Sequence, residues 1–132
     1  MKQEEKDLLL KDLCSRLPYG VKCCVNNKNE LSGYLERIMG KRIHLFSSGH
    51  ASFNIDGIKP YLYPLSSMTE EQKKELHNIQ GVLTVDFEFE EYKMVHLFQS
   101  QNVIDWLNKN HFDYRGLIEK GLAIDCTNLN IY

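Results

Sequence analysis

The chain has 132 residues, of which 42% are hydrophobic and 26% are charged, and its formal net charge is −2. This length fits one compact domain over residues 1–132, and the composition excludes an intrinsically disordered chain. No apolar stretch approaches the roughly 20 residues of a membrane-spanning helix, and no secretory signal follows the charged first residues, so we expect a cytoplasmic protein without membrane contact.

The first predicted element is an amphipathic helix over residues 2–16. Leu9 and Leu13 belong to an apolar stripe at helical spacing, while the charged residues, Asp12 among them, lie on the opposite face. Pro18 ends the helix, because the residue before a proline avoids helical dihedral angles. We therefore expect the apolar stripe to pack against another element.

After this helix, apolar and polar residues alternate, which predicts short antiparallel strands. The predicted strands cover residues 21–25, 31–38, 42–46 and 52–55, and residues typical of turns separate them. Residues 58–64 form a further extended segment, which its two prolines should confine to an edge of the sheet or an exit from it. This set fits a small, bent antiparallel sheet or an SH3-like, partly open barrel.

The C-terminal half is predicted to combine helices with an acidic strand. The elements are a helix over 70–80 that begins with a Thr69–Gln72 capping box, an acidic strand over 82–90, a weaker strand over 93–98 and a helix over 100–110. Asp113 can cap a turn that ends at Gly121, and residues 122–124 can form a last strand. The predicted fold class is therefore α+β, with an N-terminal helix, a small bent sheet and C-terminal helices with an additional acidic strand.

The four cysteines and five histidines show no metal-binding spacing. Zinc sites favour cysteines that are separated by about two to four residues, whereas Cys23 and Cys24 are adjacent. On a strand, one of the two would enter the core and the other would face solvent or a covering helix. We therefore expect free thiols, no metal and no cofactor.

Three blocks of the sequence are distinctive: LCSRLPYGVKC at 13–23, IKPYLYPLSSMT at 58–69 and IDWLNKNHFDYRGLI at 104–118. Together they resemble a family of small uncharacterised proteins from gut-commensal bacteria and their prophages. The resemblance implies a protein that is carried on a mobile element. It implies no activity, because the family has no established one.

The densest polar group of the chain covers residues 110–115. His111 could transfer a proton, Asp113 could orient it, and Arg115 could bind an anion through two parallel hydrogen bonds. This combination is the basis for one alternative function, a small enzyme. No nucleophile is fixed beside these residues, so the sequence does not favour catalysis.

The same segment also has a structural interpretation, which we favour. A loop between two elements needs a polar cap, which Asp113 supplies, and aromatic anchors, which Phe112 and Tyr114 supply. Arg115 would then form a salt bridge with a neighbouring acidic residue. On this interpretation the segment holds the C-terminal half of the fold together.

Another alternative function is nucleic-acid binding by the weakly basic sheet over residues 19–46. Residues 1–64 carry 10 Lys and Arg against 7 Asp and Glu, and cations alternate with aromatic residues there. That pattern is typical of surfaces that contact phosphates and stack bases: Lys22, Lys28, Arg37, Lys41 and Arg42, with Tyr19, Tyr34 and Phe46. Glu30 and Glu36 in the same strands oppose this function, as does the sequence pI of about 6.2.

The function we favour from the sequence is a non-catalytic binding or accessory module that acts through contacts with a protein partner. The chain has ample core-forming pattern but no catalytic, metal-binding or phosphate-binding motif. Tyr61 and Tyr63 lie among prolines, where an exposed aromatic contact surface is expected. The other candidate binding residues are Trp106, His111, Asp113, Tyr114 and Arg115.

Overall fold

The computed structural model describes residues 1–80 and 101–132 and confirms the α+β class. Its elements are α1 (Gln3–Arg16), β1 (Lys22–Val25), β2 (Lys28–Met39), β3 (Arg42–Phe46), β4 (His50–Asn54), β5 (Ile58–Pro64), α2 (Glu70–Gln80), α3 (Gln101–Lys109), β6 (Phe112–Asp113) and β7 (Ile124–Asp125). The predicted strands over 82–90 and 93–98 lie outside the described residues. Within the described ranges, no helix is long and apolar enough to cross a membrane.

The sheet is an antiparallel meander that returns on itself, because β5 pairs with β1. The strand order is β4-β3-β2-β1-β5-β6, and β7 also pairs with β5. Both β6 and β7 run parallel to β5, so the sheet is mixed, and it stays open. At the tight β1–β2 turn, Asn26 and Asn27 have φ values of 52° and 60°, the left-handed conformation that such a hairpin requires.

The prediction that β5 lies at an edge of the sheet is wrong. This strand pairs with β1 on one side and with β6 and β7 on the other. Proline is tolerated because pairing on the second side is short, with β7 opposite residues 61–62 and β6 opposite residues 63–64. Pro60 lies before these contacts, and Pro64 ends the strand.

Helix α1 packs on one face of the sheet, which we call the inner face. The buried cluster between them contains Leu9, Leu13, Val21, Cys23, Val25, Leu35, Ile43, Leu45, Ile55, Ile58, Leu62, Leu117, Leu122 and Ala123. Burying each large aliphatic side chain contributes about 1.5–3 kcal/mol to folding. The predicted apolar stripe of α1 therefore packs against the sheet, and the two together form the main core of the protein.

Helices α2 and α3 form a second apolar cluster beside the end of β5. Its buried members are Met68, Leu76, Val103, Trp106, Leu107 and Phe112. The predicted Thr69–Gln72 capping box opens α2, since the Gln72 amide donates to Thr69 Oγ1 and the Thr69 amide to Gln72 Oε1. On α3, Trp106 is only 6% exposed and stacks on Phe112, so this candidate binding residue lies in the core.

The C-terminal segment, residues 124–132, covers the outer face of β1 and β5. Between this segment and the sheet lies a buried cluster of Cys24, Tyr61 and Cys126, with Ile131 packed against it. The Tyr132 hydroxyl accepts a hydrogen bond from the Lys22 amide and donates one to the Tyr61 carbonyl. Cys24 is therefore buried by this segment, where exposure or a covering helix was expected. All four cysteines are free thiols.

Candidate functional site

The side chains on the outer face of β2, β3 and β4 are exposed or half-buried, unlike those under the C-terminal segment. We call this surface the open sheet face. It consists of Lys22, Tyr34, Glu36, Arg37, Met39, Arg42, His44, Phe46 and His50. It is the counterpart of the inner face, where the same strands bury their aliphatic residues against α1.

One row of the open sheet face crosses four strands. The register places Lys22 opposite Tyr34, Tyr34 opposite Phe46, and Phe46 opposite His50. Tyr34 and Phe46 are 45% and 43% exposed. The Lys22 ammonium lies 5.5 Å from the centre of the Tyr34 ring, and the Phe46 and His50 ring centres are 5.0 Å apart. The row is therefore an aromatic strip with a cation at one end.

A β-bulge in β2 sets which residues flank this strip. The register against β3 shifts between Leu35, which is buried on the inner face, and Arg37. The extra residue places Glu36 and Arg37 both on the outer face. Glu36 Oε2 lies 2.8 Å from His50 Nδ1, and Arg37 is exposed. The bulge therefore adds the Arg37 cation to the open sheet face and places the Glu36 carboxylate beside His50.

The open sheet face is net positive, although the whole chain has a net charge of −2. Lys22, Arg37 and Arg42 supply three cations, and Glu36 supplies the one carboxylate among the residues that define this face. Glu30 is also exposed on β2, but it lies where the pairing with β1 is irregular. Arg42 is oriented along the edge of the sheet because its Nη2 donates to the Ser52 carbonyl at 3.0 Å and to Ser52 Oγ at 2.9 Å. Charge and aromatic surface are thus combined on one face.

Five residues of the predicted basic sheet are gathered on the open sheet face: Lys22, Tyr34, Arg37, Arg42 and Phe46. Lys28 and Lys41 lie at hairpin ends, and Tyr19 lies in the 3-10 turn that follows α1. Met39, His44 and His50 were not among the predicted residues of this surface. The alternation along β3 could have placed His44 there, because it lies two residues before Phe46.

The predicted polar segment lies elsewhere and belongs to a buried network with α1. Asp12 and Arg16 are both fully buried, and Arg16 Nε donates to Asp12 Oδ2 at 2.8 Å. Arg16 Nη2 donates to the Phe112 carbonyl at 2.6 Å, and Arg115 Nη1 donates to Asp12 Oδ1 at 2.8 Å. The prediction that Asp12 lies on the charged face of the helix is wrong, because this carboxylate compensates two arginines inside the protein.

The remaining polar side chains of this segment bond to nearby groups. The Asp113 carboxylate accepts hydrogen bonds from the amides of Leu117 and Ile118, both at 2.9 Å. The Tyr114 hydroxyl donates to Asn108 Oδ1 at 2.8 Å. These contacts, with the Arg115–Asp12 pair, are those that the structural interpretation predicted, and Asp113 caps the turn over residues 117–120.

His111 is held apart from the other two residues of the enzyme hypothesis. It has a left-handed φ of 62°, and its ring stacks on the Tyr132 ring with 3.7 Å between centres. Its Nδ1 is buried and has no hydrogen-bond partner in the described part of the chain. His111, Asp113 and Arg115 therefore contact three different sets of groups, and their placement does not form an acid–base pair.

Acidification should destabilise the protein through His111. Burial, together with the positive charge of Arg16, lowers the pKa of His111 from its usual 6.5 to about 4. Between these two values the unfolded chain binds a proton that the folded chain does not, so the free energy of unfolding falls as the pH falls. His111→Asn, which tolerates the left-handed backbone, should lose less stability than the wild type between about pH 6.5 and about pH 4.5 in urea titrations.

The control for this experiment is His50→Asn, because His50 is exposed. This variant should keep most of the wild-type loss on acidification. An equal loss in the wild type and in His111→Asn would show that another group carries the pH dependence.

Tyr61 and Tyr63 do not form the exposed aromatic surface that the sequence predicted. Tyr61 is fully buried under the C-terminal segment. Tyr63 is half-buried, with its ring centre 6.1 Å from that of Phe112 and 6.0 Å from that of Tyr132. Both tyrosines connect the sheet with the C-terminal half of the chain.

The open sheet face and the buried network differ in how accessible they are to another molecule. The polar groups of the buried network bond mainly to one another, whereas the Tyr34 and Phe46 rings present much of their surface to solvent. Within the described residues, no group of three or more side chains could hold a metal ion. Comparisons with protein-family models, curated proteins and solved structures found no significant match to this chain.

Proposed function

We propose that this protein is a non-catalytic binding module and that the open sheet face is its ligand-binding surface. The observation that carries this proposal is the exposure of Tyr34 and Phe46 as direct cross-strand neighbours. Tyrosine and other aromatic side chains supply large contact areas at a low cost in conformational entropy, especially on a rigid strand. A pair of them left open to solvent marks an interaction surface better than scattered apolar residues do.

The strand arrangement supports an SH3-like module with an open sheet. The fifth strand returns to pair with the first, and a short 3-10 turn, Ile55–Gly57, precedes it. Folds of this kind bind ligands on the surfaces of their strands and loops, and the site decides the ligand. The predicted contact surface therefore moves from Tyr61 and Tyr63 to the open sheet face, whose exposed rings are Tyr34 and Phe46. A cytoplasmic location and a mobile-element origin stay predictions.

Photo-crosslinking from the open sheet face tests this function. A phenylalanine analogue whose ring carries a diazirine keeps an aromatic ring at position 46 and inserts into neighbouring bonds of either a protein or a nucleic acid, so the experiment needs no prior choice of ligand. Incorporated at position 46 in cells that produce the protein, it should give a discrete crosslinked adduct upon irradiation. Arg37→Ala in the same chain should reduce the adduct, because Arg37 flanks the aromatic strip.

The matched control carries the same photo-reactive residue in place of Lys120, an exposed position in the turn before β7. We expect no discrete adduct from this position. Equal crosslinking from both positions, or none from position 46, would overturn the proposal that the open sheet face binds a ligand.

A further inference from the structure

We infer that the ligand of the open sheet face is single-stranded nucleic acid, an inference that rests on the proposed function. The surface combines two exposed aromatic rings with three cations on one sheet face. Proteins that bind single strands without strong sequence preference use this combination, with rings for the bases and cations for the phosphates.

The aromatic pair has the geometry of a stacking platform. Tyr34 and Phe46 are directly opposite each other on adjacent antiparallel strands, which places their Cβ atoms about 5 Å apart. Each ring belongs to a strand that is paired on both sides, and each has a further contact, Tyr34 with Lys22 and Phe46 with His50. These contacts restrict the rings while over 40% of each residue stays exposed, so an unpaired base can stack on either one.

The cations lie around the platform, where the backbone of a stacked strand would pass. Lys22 is on the β1 side of Tyr34, Arg37 is beyond the bulge on β2, and Arg42 lies four residues before Phe46 on β3. At about 3.3 Å per residue, Arg42 and Phe46 are roughly 13 Å apart along the strand. The cations are therefore spread along the face, as successive phosphates require, instead of being clustered at one point.

Charge complementarity favours a polyanion over a protein surface. The whole chain has a net charge of −2, yet the residues that define the open sheet face contain three cations and one carboxylate. That carboxylate, Glu36, lies 2.8 Å from His50 Nδ1, and the three cations outnumber it. A weak positive face on a weakly acidic protein also predicts modest affinity that decreases strongly with salt.

The bases must be unpaired to use this face. The rings project from a sheet, and in a duplex the base faces are stacked within the helix and cannot reach them. We therefore expect single strands to bind better than the corresponding duplex. Sequence preference should be weak, because stacking on an aromatic ring is available to every base.

Fluorescence anisotropy with a labelled oligothymidylate of about 12 nucleotides, a length within the range that small sheet modules cover, tests the inference. Binding should be detected at about 50 mM salt, and the logarithm of the association constant should fall against the logarithm of the salt concentration with a slope of about −2, as expected for three cations. A duplex of the same length should bind more weakly.

Variants then assign the binding to the open sheet face. Tyr34→Ala and Phe46→Ala should each weaken binding roughly 5- to 150-fold, whereas Tyr34→Phe should retain it, because stacking needs the ring and not the hydroxyl. Arg37→Ala should also reduce the magnitude of the salt slope by about 0.7. Lys120→Ala and Leu129→Ala change an exposed cation and an exposed apolar residue elsewhere and should have no effect.

The outcomes separate this inference from the proposed function. No binding at low salt, binding that Tyr34→Ala and Phe46→Ala leave unchanged, or a preference for the duplex would overturn the nucleic-acid inference. If nuclease treatment leaves the size of the adducts crosslinked from position 46 unchanged, the ligand is a protein and the proposed function stands. If that position gives no adducts either, both the inference and the proposed function are wrong.

Discussion

Asp12→Ala should destabilise the protein by about 3–5 kcal/mol, because removal of one partner from a buried ion pair leaves the other without compensation. Asp12 and Arg16 are both fully buried, and Asp12 also accepts a hydrogen bond from Arg115. Urea unfolding followed by the fluorescence of Trp106, the single tryptophan of the chain, measures the loss.

The matched control is Asp7→Ala on the same helix. Asp7 is exposed and accepts a hydrogen bond from Gln3, so its loss should change the free energy of unfolding by no more than about 0.5 kcal/mol. The double variant Asp12→Leu with Arg16→Met should recover part of the stability, since it removes both fully buried charges and leaves only Arg115, whose side chain is partly exposed. A loss below about 1 kcal/mol for Asp12→Ala would contradict the role of this network.

Phe112→Ala should destabilise the protein by about 3–5 kcal/mol, as expected for a large aromatic side chain removed from a packed core. Phe112 is 2% exposed and stacks on Trp106 with 5.7 Å between ring centres. It also packs near Tyr63 on β5, so it joins the helical cluster to the sheet. The variant should shift the Trp106 fluorescence maximum in the native state and lower the urea midpoint.

Phe46→Ala is the control for this experiment, because the same side chain is removed from an exposed position. Its effect on the free energy of unfolding should be about 0.5 kcal/mol or less. The difference between the two variants tests whether Phe112 is buried and Phe46 is exposed. Similar losses at the two positions would mean that the open sheet face is covered by another part of the protein.

The local elements of the fold could be predicted from the sequence. Helix α1 was predicted from the spacing of Leu9 and Leu13, and the hairpins were predicted from alternation and turn residues. The Thr69–Gln72 capping box was also predicted, because it depends on residues only three apart. In each case the chemistry that determines the element lies within a few residues of it.

The predictions that proved wrong depended on contacts between distant parts of the chain. Asp12 lies among the charged residues of α1 in the sequence. Its burial is explained by the hydrogen bond from Arg115, which is distant in sequence. Tyr61 was expected to be exposed because prolines flank it, yet the C-terminal segment covers it. No local sequence pattern predicts either contact, since a single sequence does not show which elements become neighbours.

The candidate site was predicted only in part, because its residues follow a local pattern but its exposure depends on distant parts of the chain. The strand pattern indicated Tyr34, Phe46 and their neighbouring cations, because alternation places residues on one face of a sheet. It could not show that β1 and β5 would be covered while β2 to β4 stay open, because the covering residues come from the end of the chain. It also could not show the bulge at Arg37, which depends on the register against β3.

The bond from Arg16 to the Phe112 carbonyl joins groups that are 96 residues apart in sequence. Arg16 is therefore synthesised 96 residues before its final acceptor. The meander of β1 to β5 is complete much earlier, but β5 then lacks its neighbours on the second side. Because such distant contacts slow folding, we expect the docking of residues 112–132 to be the last and slowest step, and partly synthesised chains to expose β5 to other strands.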